Sequence, residues 1–137
     1  MTIRQLIPVY LLTLAVFFLI DMVWLGVVAK SFYRRHLGYL MGPRVVWPAA
    51  VLFYLLFIAG LLVFAVRPAL VAAAPFKALF LGAFLGLLAY ATYDLTNLAT
   101  IKDWPVIVTA VDLVWGAVLG GLVSWLSALA ARRLLKL

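Results

Sequence analysis

Four apolar runs, separated by short polar breaks, constrain this chain more than any other feature of its sequence. Each run is about 20 residues long, which is the length that an α-helix needs to cross the hydrocarbon core of a bilayer. The chain is 69% hydrophobic and only 11% charged, whereas about a quarter of the residues of a soluble domain are charged. The sequence therefore predicts an all-α integral membrane protein with four transmembrane helices, at about residues 6–29, 45–66, 78–99 and 105–131.

Short connections between the spans predict that neighbouring helices run antiparallel, as an up-down bundle. Residues 1–137 would then form a single transmembrane domain. Asp21 and Trp24 interrupt the plainly apolar core of a cleavable signal peptide, so we expect the first span to remain in the membrane. The 11 basic residues divide six to five between the two ends of the bundle, so the positive-inside rule does not predict the orientation.

Charge and composition exclude several classes of function. A net charge of +7 would suggest nucleic-acid binding in a soluble chain. Here the basic residues lie between the apolar runs, where they meet lipid phosphates, so no nucleic-acid partner is predicted. The chain has no cysteine for a disulfide or thiolate site. His36 is the only histidine, and the aspartates have no Glu or His nearby, so neither a cofactor nor a metal is predicted.

The aspartates are the least expected residues of the spans. The chain has four acidic residues, and three of them lie inside predicted spans, at Asp21, Asp94 and Asp112. At about 1.5 Å per residue, all three lie roughly 8–12 Å below the surface that holds the first and third connections. A charged side chain at a span centre costs about 2.5–3.5 kcal/mol. Such residues usually face a bundle interior and mark a functional site, so these three are the candidate catalytic groups.

Polar and aromatic residues accompany Asp94 in the third span. Tyr90, Asp94 and Asn97 share one stripe of the helix at positions i, i+4 and i+7, and Tyr93 lies beside it. This stripe predicts a polar, ligand-binding face that points into the bundle.

A short repeat relates the first span to the fourth. The segments "DMVW" at 21–24 and "DLVW" at 112–115 place Trp24 and Trp115 three residues after an aspartate, on its own helix face. Random placement would repeat this spacing in roughly one sequence in a hundred. An inverted repeat of the kind found in transporters would carry the two aspartates to opposite leaflets, whereas the span boundaries place them in the same one.

Structural interpretations compete with the functional ones. A neutral aspartate can simply hold helices together, and Trp24 and Trp115 can be packing residues. Trp47 and Trp104 lie at span ends and fit the aromatic belt at the membrane surface. Arg34 and Arg35, which follow the first span, fit either a general phosphate-facing anchor or a clamp for an anionic ligand above the aspartates.

Three motifs together resemble a known family: "D-x-V-W-L" in the first span, "Y-D-L-T-N-L-A-T-I-K-D-W-P" at 93–105, and "D-x-V-W-G" in the fourth span. The resemblance is to small bacterial inner-membrane proteins that share a domain of unknown function, and it covers essentially the whole chain. It implies a multi-pass protein with four helices in the bacterial inner (cytoplasmic) membrane, and it carries no activity, cofactor or catalytic assignment.

Three functions remain open on the sequence alone. The first is a polar pocket in one leaflet that binds or modifies a lipid or another membrane-resident molecule, with Asp94 or Asp112 as a general acid or base. Its predicted lining consists of Asp21, Asp94, Asn97 and Asp112, together with the ligand-binding aromatic residues Tyr90, Tyr93, Trp24 and Trp115. The second is a small proton- or cation-coupled transporter, which would need a homodimer because four spans are few for a pore. The third is an accessory subunit or assembly factor of a larger membrane complex. Four glycines offer smooth helix faces for a dimer: Gly82, Gly86, Gly116 and Gly120.

Overall fold

The computed structural model describes residues 1–137 and contains helices but no strands. Four long helices follow one another, each long and apolar enough to cross a membrane: α1 (Ile3–Leu37), α2 (Trp47–Val71), α3 (Pro75–Thr100) and α4 (Val106–Leu134). The predicted fold class, an all-α membrane protein with four transmembrane helices, is confirmed.

The ends of the helices follow from local sequence. Thr2 and Gln5 form a capping box at the start of α1, in which the Thr2 amide donates to the Gln5 side chain at 2.9 Å. Prolines open the other three helices: Pro48 and Pro75 lie in the first turns of α2 and α3, and Pro105 directly precedes α4. A proline costs nothing there because its missing amide hydrogen would have had no partner in the helix.

The end of α1 differs from the predicted span. The helix continues beyond residue 29 through "KSFYRRHL" and ends at Leu37. No glycine or proline interrupts this stretch after Gly26 and before Gly38. Three basic residues, Arg34, Arg35 and His36, occupy the last turn, where positive charge interacts favourably with the helix dipole. The basic cluster is therefore a helical extension of the first span.

Contacts between connections identify the two ends of the bundle. At one end, the Tyr39 hydroxyl of the first connection donates to the backbone oxygen of Asp103 in the third, at 2.8 Å. At the other end, Arg132 near the end of α4 donates to the backbone oxygen of Ala73 in the second connection, at 3.3 Å. The first and third connections thus lie together, as an up-down bundle requires.

Helices α3 and α4 form the closest interface of the bundle. A Cβ atom built at Gly86 would lie 2.0 Å from the backbone oxygen of Gly116, and one built at Gly82 would lie 2.2 Å from that of Gly120. Only glycine permits two helix backbones to approach this closely. These four glycines are buried inside one chain, so a homodimer, which stays a prediction, would need another surface.

Apolar side chains fill the bundle in two clusters. One lies at the end that holds the termini and includes Val9, Val66, Ala78 and Ala131. The other lies next to it and includes Phe17, Ile58, Leu61, Leu119 and Val123. The predicted polar residues lie beyond the second cluster, toward the first and third connections.

Candidate functional site

Two carboxyl groups meet at the centre of the site. Asp94 of α3 is fully buried and Asp112 of α4 is 5% exposed. Their carboxyl groups lie close enough to interact with each other. Two carboxylates this close repel each other, which favours a state in which the pair holds one proton and carries one negative charge.

The two members of this carboxyl pair differ in their other contacts. Asp112 accepts a hydrogen bond from the hydroxyl of Tyr33, which projects from the helical extension of α1. Neither oxygen of Asp94 receives a hydrogen bond from a donor elsewhere in the protein. Asp94 is therefore the less satisfied of the two groups, because both of its oxygens are buried without a donor.

Asp21 lies apart from the carboxyl pair. It is buried on α1, and its side chain lies beside the hydroxyl of Tyr54 on α2. Tyr90 lies near all three carboxyl groups. No three His, Cys, Asp or Glu side chains group together in a way that could hold a metal ion. The structure thus unites two of the three predicted aspartates and places the third with a tyrosine.

The two tryptophans of the short repeat stack on each other. The rings of Trp24 and Trp115 are 4.3 Å apart between centroids and inclined by 7°. Both residues are partly exposed on the outer surface where α1 meets α4. The repeated Asp-x-x-Trp spacing therefore brings one aromatic ring from each helix to the same contact.

A cleft leads from the bundle surface to the carboxyl pair. It has a volume of about 460 Å³ and is lined by Phe53, Ala89, Tyr90, Tyr93 and Asp112. Residues 47–56 of α2 include no buried side chain, so this half of the helix leaves room beside α3. Tyr93 is 57% exposed. The cleft consequently opens sideways, toward the region that lipid chains would occupy.

Tyr93 also has a polar neighbour on its own helix. The side chain of Asn97, one turn further along α3, lies close enough to interact with the Tyr93 hydroxyl. Asn97 is partly buried. Together they extend the polar lining of the cleft toward the third connection.

The third connection anchors α4 against Asp94. Asp103 adopts a left-handed backbone conformation with φ 60°, which aspartate tolerates better than most residues. Trp104 is only 6% exposed, and its indole N–H donates to the Thr109 hydroxyl at 3.1 Å. That hydroxyl in turn donates to the backbone oxygen of Asp94 at 3.3 Å. The belt interpretation is therefore wrong for Trp104, while Trp47 is 65% exposed, as a belt residue would be.

The two arginines of the predicted clamp lie away from the carboxyl pair. Arg34 and Arg35 are exposed on the outer side of α1, where they line a shallow groove together with Lys30 and Ser31. Tyr33, which directly precedes them in the sequence, is the residue of this segment that contacts the pair.

Two site residues were not identified from the sequence. Tyr33 and Tyr54 contact Asp112 and Asp21, respectively, and both come from helices whose rotation about their axes the sequence does not reveal. Their only sequence signal is a hydroxyl within an otherwise apolar or basic segment.

Comparison with known protein families identifies a family for the chain. No curated protein and no solved structure matches the chain. A family model described as a predicted membrane protein, DUF2177, matches residues 6–129, a range that contains all the site residues described above. The expected resemblance to an uncharacterised family of membrane proteins is confirmed. The chain is a multi-pass membrane protein and belongs to the DUF2177 family.

Proposed function

We propose that the cleft and the carboxyl pair bind, and transfer a proton to or from, a membrane-resident amphiphile such as a lipid. One observation carries this proposal: Asp94 is fully buried, yet neither of its oxygens receives a donor from the rest of the protein. An unpaired buried polar group costs about 1–3 kcal/mol. Such a group is rarely kept for packing alone, and a ligand that supplies the missing donor explains it.

The charge of the carboxyl pair determines which polar groups of a ligand it would favour. A pair that carries one negative charge and free acceptor oxygens favours a hydrogen-bond donor, such as a hydroxyl or an amine. It repels a phosphate or carboxylate. We therefore propose a hydroxyl- or amine-bearing group as the part of the ligand that reaches Asp112, the member of the pair that lines the cleft, next to Asp94.

The walls of the cleft suit the apolar part of the same ligand. Phe53, Tyr90 and Tyr93 present aromatic surface along it, and its sideways opening would let an acyl or isoprenoid chain remain in the bilayer while the polar group enters. Ligand sites are commonly apolar clefts with a few placed polar groups.

Proton transfer is the chemistry that the pair can supply. One carboxyl holds a proton and its neighbour accepts one, so the pair can serve as general acid and general base toward a bound hydroxyl or amine. Arg34 and Arg35 lie outside the cleft and would contact phosphates of surrounding lipids instead of the reacting group.

We also propose the bacterial inner membrane as the location of the protein. Support comes from the resemblance of its three motifs to bacterial membrane proteins. Fractionation of bacterial membranes that express the chain would test this assignment, since recovery outside the inner-membrane fraction contradicts it.

Native mass spectrometry of the gently purified protein tests the binding proposal. We expect a bound hydroxyl- or amine-bearing amphiphile on the wild type that is lost from Asp94→Asn. Asp103→Asn is the matched control, because it changes the same functional group in an exposed connection. The same bound species on all three proteins would contradict the proposal. A larger complex recovered with all three would favour the accessory-subunit interpretation instead.

A further inference from the structure

Tyr33 supplies the one hydroxyl that donates to the carboxyl pair. Its partner is the Oδ1 atom of Asp112. Tyr33 itself is partly buried, and it belongs to the part of α1 that extends beyond the predicted span. This bond joins the first helix to the fourth next to the proposed ligand site.

A regular α-helix would not place Tyr33 there. Each residue of an α-helix turns by about 100°, so the twelve residues from Asp21 to Tyr33 would leave the two side chains about 120° apart. Phe32, one residue earlier, would lie about 20° from Asp21, and would therefore share the buried face of α1 instead.

A π-helical segment changes this register. Residues Leu25–Ala29 of α1 form a π-helix, whose hydrogen bonds span five residues where an α-helix spans four. One such turn adds a single residue to the helix. Every later side chain is therefore rotated back by about 100° about the helix axis, compared with its direction in a regular α-helix. Tyr33 then lies about 20° from the direction of Asp21, in the place that Phe32 would otherwise take. The π-helical turn exchanges a phenyl ring for a phenol at the site.

We infer that Tyr33 is a positioning residue of the carboxyl pair and that the π-helical turn of α1 seats it there. By donating to Asp112, the Tyr33 hydroxyl stabilises negative charge on that carboxylate. The proton of the pair is thereby held on Asp94, and Asp112, which lines the cleft, carries the negative charge. This inference concerns the site of the proposed function, but it is a statement about the pair alone and needs no ligand.

Infrared spectroscopy of the purified protein reports on the pair directly. The carbonyl stretching band of the protonated carboxyl group is identified as the band that Asp94→Asn removes. We expect Tyr33→Phe, which deletes one oxygen atom, to shift this band. Tyr39→Phe is the matched control, because its hydroxyl bonds to the backbone of Asp103 at the same end of the bundle and should leave the band unchanged.

Register variants test the role of the π-helical turn. Inserting one alanine between Val27 and Val28 rotates Tyr33 away from Asp112. It brings Phe32 to the height and direction that Tyr33 has in the wild type. We expect this insertion to shift the carboxyl band as Tyr33→Phe does. Adding Phe32→Tyr to the insertion should return the band to its wild-type position. Both insertion variants carry the same change at the membrane surface, so only the hydroxyl distinguishes them.

The outcomes separate this inference from the proposed function. A wild-type band in Tyr33→Phe overturns the positioning role, whatever the ligand. If the insertion variants fold and Phe32→Tyr does not restore the band, the role of the π-helical turn is overturned. If they aggregate, Tyr33→Phe alone decides the positioning role. Loss of a bound amphiphile in Asp94→Asn is a separate measurement and can succeed or fail independently.

Discussion

Replacing Gly86 by alanine tests the contact that brings α3 and α4 together. The added Cβ would lie 2.0 Å from the Gly116 backbone oxygen and 2.9 Å from its carbonyl carbon. Ordinary contacts of a Cβ begin at 3.4 Å, and neither backbone atom can move aside without its helix. The two helices must therefore separate by about 1 Å or more at this level. Overpacking of this kind costs about 1–3 kcal/mol, which we expect as a decrease in the free energy of unfolding.

The separation would also reach the carboxyl pair. Gly86 precedes Asp94 by eight residues, or about 12 Å of α3, and Gly116 follows Asp112 by four residues, or about 6 Å of α4. Moving the helices apart at the contact between Gly86 and Gly116 also lengthens the distance between the two carboxyl groups nearby. We therefore expect the infrared band of the shared proton to shift in Gly86→Ala.

Reversible unfolding in mixed micelles of increasing SDS content measures the stability change. Gly60→Ala is the control, because its added Cβ would lie 3.7 Å from a Leu85 methyl group, an ordinary contact. It should be neutral or stabilising, since alanine is the better helix former by about 1 kcal/mol. If Gly86→Ala is as stable as Gly60→Ala, the close approach of α3 and α4 described above is wrong.

Two further substitutions address the acids and the tryptophans. Asp94→Asn should leave the free energy of unfolding unchanged or raise it by up to about 1 kcal/mol, because a neutral amide replaces an unpaired buried acid; a clear loss of stability, with Asp103→Asn unchanged, would mean that Asp94 mainly holds helices together. A double-mutant cycle of Trp24→Ala and Trp115→Ala should give a coupling energy of about 0.5–1.5 kcal/mol for the stacked rings. A coupling near zero would show that the stack contributes no more than the burial of each ring alone.

The fold could be predicted from the sequence because the bilayer restricts it so strongly. Each apolar run is long enough to span, and the backbone polar groups of a span must be satisfied within its own helix. The end of α1 was the main exception. A run of basic residues indicates where a helix leaves the hydrocarbon, and it does not indicate where the helix ends, which for α1 is Leu37.

The site could be predicted only within single helices. Spacing along one helix correctly indicates which residues share a face, as for Tyr90 and Asp94. Contact between helices depends on how closely they pack and how each is rotated. The glycines that bring Asp94 to Asp112 suggested an interface without indicating whether it lay within one chain or between two. The π-helical turn that directs Tyr33 to Asp112 has no recognisable sequence signal, because it changes hydrogen bonding and leaves composition unaltered.

Trp104 shows how a membrane rule can mislead at a helix end. A tryptophan beside a connection fits the aromatic belt, because its ring prefers the membrane surface. Here the chain turns back within a few residues, and the left-handed conformation at Asp103 directs the following indole inward to Thr109. The motif "KDWP" is thus explained by the geometry of the turn as much as by the membrane.

The carboxyl pair lies between two contacts that fix α3 against α4. On one side Gly86 packs against Gly116, and on the other Trp104 and Thr109 connect α4 to the backbone of Asp94. Small movements elsewhere in the bundle should therefore change the distance between the carboxyl groups very little.

The opposite wall of the cleft is held by a different helix. It is formed by Phe53, in the half of α2 that buries no side chain. The same half of α2 contacts α1: Tyr54 lies beside Asp21, and the Leu55 backbone oxygen accepts a hydrogen bond from the Tyr10 hydroxyl at 3.0 Å. In the proposed function, a ligand of larger cross-section would have to displace these contacts between α1 and α2, while the contacts between α3 and α4 would stay in place. In that proposal, α1 and α2 would determine the shape of the accepted ligand, and α3, α4 and Tyr33 the chemistry at its polar group.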